Sequence, residues 1–156
     1  RSEWLVREAD PAGARALDLA LQLKKDHGDG HVTVVHLGPP EADHWLRRTL
    51  AQGADRAVRV WGDETVGVRA PAKAVILAAA ARAAGFDLVV TGNSGVIEAA
   101  GQVGVLLAEE LCVSCVTQVI DIGEVRRGEG APAKTAAVPA SASRTPARSG
   151  TSTPKK

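Results

Sequence analysis

The sequence predicts an α/β fold: a doubly wound, mostly parallel Rossmann-like sheet with helices on both faces, followed by a disordered C-terminal tail. Short β-branched apolar runs alternate along the chain with longer segments whose apolar residues recur every three or four positions. Strands and helices that alternate in this way form parallel sheets with right-handed crossovers. Beyond Ile122 the chain consists mainly of small, polar and basic residues, which bury too little apolar surface to offset the entropy of ordering.

The first half of the chain alternates short strands with two helices. Residues 4–6 are a short predicted strand, and Asp10-Pro11 then supplies a helix cap with Pro at the first helical position. The helix that follows ends at Gly28, and a second helix ends at Gly53. Two further strands are predicted at residues 32–36 and 57–60, and the helices present the apolar stripes Leu17, Ala20, Leu21, Leu23 and Ala42, Trp45, Leu46, Leu50.

The second half continues the alternation. A helix is predicted over residues 71–84 and a buried strand over 88–91, and a further helix ends near Leu111 before a last strand over 116–122. The apolar residues assigned to the inner face of the 71–84 helix are Ala72, Val75, Ile76, Ala79 and Ala83.

The candidate binding site follows the strand at 88–91. Gly92-Asn93-Ser94-Gly95 comes directly after this strand, and Gly101-Gln102-Val103-Gly104 opens the next helix. Backbone amides at a strand end and a helix start can hold a phosphate. Neither a G-x-G-x-x-G nor a G-x-x-x-x-G-K-[ST] motif is present. Spacing alone therefore leaves ligand binding and a plain strand-to-helix connection both open.

Length and composition predict one domain, residues 1–123, and a disordered, basic Ala/Pro/Ser-rich tail, residues 124–156. The tail holds seven Lys or Arg residues and one Glu after Glu124, without aromatic residues, so we expect no nucleic-acid binding. No apolar run reaches the ~18 residues that span a bilayer, and no signal peptide opens the chain. We expect a protein of the cytoplasm with no transmembrane segment.

Other reactive residues form no recognisable site. Cys112-Val113-Ser114-Cys115 has the spacing of a redox pair, but burial as small residues is the favoured interpretation. The four histidines, His27, His31, His36 and His44, lack the spacing of metal ligands. The sequence therefore indicates no metal site and no catalytic residue, and whether the chain is an enzyme stays open, with a non-catalytic role favoured.

Several ordered motifs resemble the beta subunit of electron transfer flavoproteins. These are His36-Leu37-Gly38-Pro39-Pro40, the helix that contains Leu46, and Gly53-Ala54-Asp55-Arg56-Ala57. Further matches are Asp10-Pro11 upstream, Ala72-Lys73-Ala74, and Thr91-Gly92 with Gly101-Gln102-Val103-Gly104 downstream. The resemblance covers residues 9–122.

The resemblance implies an electron-transfer component that acts in a heterodimer with an alpha-like subunit. It would bind AMP or FAD, with FAD shared with the alpha subunit, and help pass electrons from a flavin dehydrogenase to an acceptor. The nucleotide-binding residues carried over by the resemblance are Asp10, Leu37, Gly38, Gly92, Asn93, Ser94, Gly101, Gln102, Val103 and Gly104.

The loop departs from the family pattern. Asn93 stands where the family has Lys, and Ile97, Ala99 and Ala100 stand where it is acidic or has Thr, which would weaken the nucleotide site. Nothing after Ile122 resembles the family's second half. Two alternatives therefore stay open: a stand-alone adenine-nucleotide sensor similar to universal stress proteins, and a scaffold domain of a redox complex that holds no ligand.

Overall fold

The computed structural model describes residues 11–92, 101–119 and 122, together with the backbone of residues 135–139. The strand predicted for residues 4–6 lies outside this part of the chain. Two short 3-10 helices, Pro40–Ala42 and Asp63–Thr65, precede the second and third helices. The helices are α1 (Pro11–His27), α2 (Asp43–Gln52), α3 (Ala70–Ala84) and α4 (Gln102–Leu111), and the strands are β1 (Thr33–Leu37), β2 (Arg56–Val60), β3 (Leu88–Val90), β4 (Ser114–Val119) and β5 (Thr135–Pro139).

Every strand pair is parallel, as the sequence predicts. β1 pairs with β2 from Thr33 opposite Arg56 to Leu37 opposite Val60. β5 lies between β3 and β4 and pairs with both. Within the described residues, no ladder joins the two-stranded sheet to the three-stranded one. The α/β class and the parallel pairing are confirmed.

β5 corrects the prediction for part of the C-terminal tail. Residues 124–156 are predicted to be disordered, but Thr135–Pro139 form a strand within the sheet. The pairing runs through the backbone, with Leu88 and Ser114 both opposite Thr135. A segment of small residues can add a strand because ladder hydrogen bonds do not require large side chains. The remainder of the tail lies outside the described residues, and the domain boundary after residue 123 stays a prediction.

Gly53-Ala54-Asp55 forms the turn between α2 and β2, and the geometry of this turn explains the sequence. Gly53 caps α2 with φ +119°, a left-handed conformation that favours glycine. Its N–H donates to the carbonyl of Leu50, and the N–H of Ala54 donates to that of Thr49. Ala54 is buried. These residues shape the fold rather than the candidate site.

The best-defined core lies between α3 and α4. Ala74 and Ala78 of α3 are fully buried and pack against Leu107 and Leu111 of α4. Because alanines allow helices to approach closely, α3 and α4 form a tight pair, and Arg82 donates across it to the carbonyl of Glu110. The partly buried residues around this cluster are Leu77, Ala81, Phe86, Val89, Leu106 and Val113.

The predicted inner face of α3 is wrong. Ala74 and Ala78 are buried, whereas Val75, assigned to the core, is 51% exposed; Ala72, Ala79 and Ala83 are exposed too, and Ile76 is half-buried. The helix consists mostly of alanine and other apolar residues on all sides, so more than one stripe with three-four spacing fits. Packing against α4 selects the stripe.

Candidate functional site

The end of β3 lies directly against the start of α1. A Cβ atom added to Gly92 would stand 2.9 Å from the amide nitrogen of Gly13 and 3.0 Å from the carbonyl carbon of Ala12. Both neighbours are backbone atoms of the first turn of α1, so no side chain fits at position 92. The carboxyl end of β3 and the N-terminus of α1 therefore meet at Gly92.

Thr91, next to Gly92, has a polar atom without a partner. Its Oγ1 is buried and makes no hydrogen bond to any residue that the structure describes. Buried hydroxyl groups are normally hydrogen-bonded, and leaving one unpaired costs about 1–3 kcal/mol. An unpaired hydroxyl at the carboxyl end of a parallel strand is suited to a ligand, because ligands bind at this edge of open α/β sheets. The site predicted from the sequence does not include Thr91, because a Thr that follows two Val residues is typical of the last position of a strand.

The first turn of α4 consists of the predicted residues Gln102, Val103 and Gly104. Gly101 precedes it with φ +59° and ψ 14°, and no side chain caps the helix start. Gln102 is exposed, Val103 is half-buried and Gly104 is buried. The first turn of α4 contains no acidic residue, so no carboxylate within it competes with an anion for the amides.

At the end of β1, Leu37 is half-buried and Gly38 is buried. The N–H of Gly38 donates to the carbonyl of Val60 at 3.1 Å, which extends the pairing of β1 with β2. The imidazole of His36 folds over Gly38: a Cβ added there would be 3.1 Å from Cδ2 of His36, and Nε2 lies nearer still. Burial lowers the pKa of His36 below its ordinary value of 6.5. His36 is not among the binding residues predicted from the sequence.

Two ion pairs hold the surrounding elements. Lys24 of α1 contacts Asp55 at 2.6 Å, and Asp55 also accepts a hydrogen bond from the N–H of Val32 just before β1. The hydrogen bond from Lys24, followed by that from Val32, lowers the pKa of Asp55. Asp43 at the start of α2 contacts Arg59 of β2 at 2.5 Å. These contacts fix α1 and α2 relative to β1 and β2.

An open groove of about 620 Å³ lies elsewhere, between α1 and the end of α2. It includes Asp18, Gln22, Lys24 and Gln52, and none of the predicted site residues. The residues that line it are mostly exposed and the groove is open to solvent, unlike the concave pockets that bind small molecules. The groove is therefore separate from the candidate site.

Three predicted binding residues, Asp10, Asn93 and Ser94, lie outside the described residues, as do Ile97, Ala99 and Ala100 of the loop. The structure places the other predicted residues at three strand or helix ends: Leu37 and Gly38 after β1, Gly92 after β3, and Gly101 to Gly104 at the start of α4.

The cysteine prediction is wrong. Both Cys112 and Cys115 are exposed and unpaired. Cys112 caps α4 in a left-handed conformation with φ 55°, and β4 is exposed along most of its length, so Val113 takes the position in the core.

In the described part of the chain, no group of three or more His, Cys, Asp or Glu residues could hold a metal ion.

The family comparison agrees with this geometry. The family model of the electron transfer flavoprotein domain matches residues 5–144. This chain belongs to the electron transfer flavoprotein family. The match extends past residue 123 and includes β5, in agreement with the place of that strand within the sheet.

Several relatives of this electron transfer flavoprotein chain are electron transfer flavoprotein beta subunits. It is 36% identical over 120 residues to the electron transfer flavoprotein subunit beta of Clostridium acetobutylicum, which covers 74% of this chain and 46% of the relative. It is 37% identical over 121 residues to protein FixA of Azorhizobium caulinodans, covering 74% and 43%. With subunit CarD of the caffeyl-CoA reductase-Etf complex of Acetobacterium woodii the identity is 35% over 114 residues, covering 72% and 44%.

The chain thus spans less than half the length of these relatives. The family assignment nevertheless confirms the resemblance seen in the sequence. No helix in the described ranges is long and apolar enough to cross a bilayer.

Proposed function

We propose that this chain is a nucleotide-binding component of an electron transfer flavoprotein, similar to the beta subunit. It binds AMP or the adenylate part of FAD and, in a complex with an alpha-like subunit, helps pass electrons from a flavin dehydrogenase to an acceptor. Membership of the family supports the class of function. The observation that carries the binding site is the buried, unpaired Oγ1 of Thr91 beside Gly92.

The phosphate of the nucleotide would bind groups at the end of β3 and at the start of α4. The amides of Gln102 and Val103 belong to a helix start that no side chain caps, and such amides bind anions through their hydrogen bonds and the helix dipole. The hydroxyl of Thr91 would donate a further hydrogen bond. Because backbone groups and one hydroxyl supply these contacts, the site does not depend on the side chains by which the loop departs from the family.

The nucleoside part would extend toward the end of β1, where Leu37 and Gly38 supply backbone groups. Asp10, Asn93 and Ser94 remain predicted contacts. The chain's own residues bind and orient the nucleotide; a bound flavin supplies the electron chemistry. Cytoplasmic localisation stays a prediction.

Calorimetric titration of AMP into the purified chain tests this function. The parent should bind AMP, whereas Gly101→Val should not, because Val disfavours φ +59° and adds bulk where the phosphate approaches. Gly101→Asn, which tolerates the left-handed conformation, should retain weaker binding. Gly30→Ala is the matched control, because its Cβ meets Lys24 at an ordinary 3.5 Å.

A folded parent that binds no AMP would contradict the proposal and favour the scaffold alternative. ATP binding in a homodimer would favour the nucleotide sensor. Equal affinity in the parent and Gly101→Val would remove the start of α4 from the site.

Flavin content gives a second test. A flavin shared between two subunits requires both, so we expect the isolated chain to be colourless and the complex with an alpha-like subunit to be yellow. About one flavin for each isolated chain, measured by absorption, would contradict the shared site.

A further inference from the structure

The side of α2 opposite its buried residue Leu46 is exposed and basic. At the helical spacing of about 100° per residue, four side chains share this side within about a third of the circumference. They are His44, Arg47, Arg48 and Ala51, and all are exposed. We call this surface the outer face of α2.

Neither guanidinium group of the outer face has an anionic partner among the described residues. The ion pairs of this region involve the carboxylates of Asp43 and Asp55, and none includes Arg47 or Arg48. Asp43 precedes Arg47 by four residues, which is the spacing of a helical ion pair, but its carboxylate contacts Arg59 of β2 instead. The outer face of α2 therefore carries two positive charges that its described surroundings do not neutralise.

The ring of Trp45 orients one of these charges. The guanidinium carbon of Arg48 lies 5.8 Å from the centre of this ring, within the range of a cation–π interaction. The ring of His44 lies 4.6 Å from that of Trp45, centre to centre, and its Nδ1 is 2.7 Å from the carbonyl oxygen of Glu41. Because Arg48 is already held against the ring, it loses less side-chain entropy when its N–H groups bind an anion.

We propose that the outer face of α2 binds an acidic segment of a partner protein, whose carboxylates pair with Arg47 and Arg48. A planar guanidinium can bind a carboxylate through two parallel hydrogen bonds, and Trp and Arg are enriched among the residues that contribute most to protein interfaces. This inference goes beyond the proposed function and does not depend on the nucleotide site.

Charge argues against two other occupants of this face. The chain's own tail after residue 124 is basic, so it would be repelled. A two-fold contact between the same face of two copies would bring like charges together, which is unfavourable at an interface. An acidic segment of a different protein has the complementary charge.

Hexaglutamate, a peptide whose side chains are all carboxylates, serves as the probe. Fluorescence anisotropy at low ionic strength, where charge pairs are least screened, measures its binding to the full chain. Arg47→Gln/Arg48→Gln should weaken binding about tenfold or more. Lys25→Gln/Arg69→Gln removes the same charge at exposed positions elsewhere and is the matched control, which should stay within about twofold of the parent. The basic tail adds the same background in every variant.

Trp45→Leu keeps both charges and removes the ring, so it should weaken binding about two- to fivefold. Thermal unfolding verifies that each variant is folded. Equal affinity of the Arg47→Gln/Arg48→Gln chain and the matched control would overturn the inference, because net charge alone would then attract the peptide. A larger loss for oligothymidylate of the same length than for hexaglutamate would overturn it too, since it would indicate a nucleic acid as the occupant.

Discussion

The ammonium group of Lys24 lies 2.6 Å from Oδ1 of Asp55 and 3.2 Å from the carbonyl oxygen of Gly53, so one side chain of α1 closes the turn between α2 and β2. The second oxygen of Asp55 accepts the N–H of Val32 at 2.8 Å. Asp55 therefore joins α1, the start of β1 and the start of β2, which are distant in sequence.

Replacing Asp55 should lower the thermal unfolding midpoint in a fixed order. Asp55→Asn keeps an acceptor for Val32 but loses the charge, so it should lie between the parent and Asp55→Ala. Since the pKa of Asp55 is lowered in the folded protein, its contribution is present above its ordinary pKa of 3.8 and is lost as the pH falls through the folded value.

Calorimetric melts at pH 7 and pH 3 measure this difference. The gap between the parent and Asp55→Ala should shrink at pH 3, and added salt should reduce it at pH 7. Asp29→Asn, at an exposed position in the connection between α1 and β1, serves as the control. Identical midpoints for the parent and Asp55→Ala would show that these contacts do not stabilise the fold.

Gly92→Ala should destabilise the chain by about 1–3 kcal/mol, because its methyl group would meet backbone atoms of Gly13 and Ala12 that cannot move independently of α1. Urea unfolding measures the loss, with Gly30→Ala as the matched substitution at a glycine that has room. Equal stability of the two variants would contradict the close approach of β3 to α1.

Removing β5 should destabilise the protein, whereas a wholly disordered tail could be removed without loss of stability. Among the described strands β5 is the only ladder partner of β4. A chain that ends at Gly123 should melt about 2–8 °C below the full chain, which corresponds to a loss of about 1–2 kcal/mol in a protein of this size. A chain that ends at Ala140 retains β5 and should match the full chain. Equal melting of all three would contradict the pairing.

Two thiols should react with a disulfide reagent in the folded protein, since Cys112 and Cys115 are both exposed. The reaction should be complete under native conditions, and Cys112→Ser and Cys115→Ser should each leave one reactive thiol. A requirement for denaturant before either thiol reacts would contradict the exposure of Cys112 and Cys115.

Acidification should cost the folded protein stability through His36. Its pKa is lowered by burial in the folded state, so the unfolded chain binds the proton first. His36 therefore does not reduce the free energy of unfolding above its ordinary pKa of 6.5, and it reduces that free energy as the pH falls below this value. His36→Gln should remove part of this decline in urea melts between pH 7.5 and 5.5. Equal declines would contradict the burial of His36.

The order and type of elements could be predicted from the sequence because local signals determine them. Gly53 ends α2 and Pro71 lies at the start of α3, as expected. The strand predicted at 116–122 instead begins at Ser114, since strand limits depend on pairing. The buried face of α3 depends on α4, and β5 depends on the space between β3 and β4. Neither partner is visible in the local pattern.

Part of the candidate site could also be predicted from the sequence, and part could not. Gly38, Gly92 and Gly101 can be recognised in the sequence, because a close approach or a left-handed backbone excludes other residues at these positions. Thr91 and His36 carry no such mark. Thr91 is distinguished by its Oγ1, which has no partner among the described residues, and His36 by its ring, which lies over Gly38. Both features arise only in the tertiary structure.

The position of β5 has a consequence for the order in which the chain folds during synthesis. β3 and β4 precede β5 in the chain, yet each pairs with it and not with the other. Until Thr135–Pro139 has left the ribosome, these two strands have no ladder partner among the described elements, whereas β1 and β2 can pair as soon as Val60 has emerged. Long-range pairing of this kind slows folding. The α3–α4 core must therefore hold β3 and β4 apart, with their edges open, while the intervening strand is still being made.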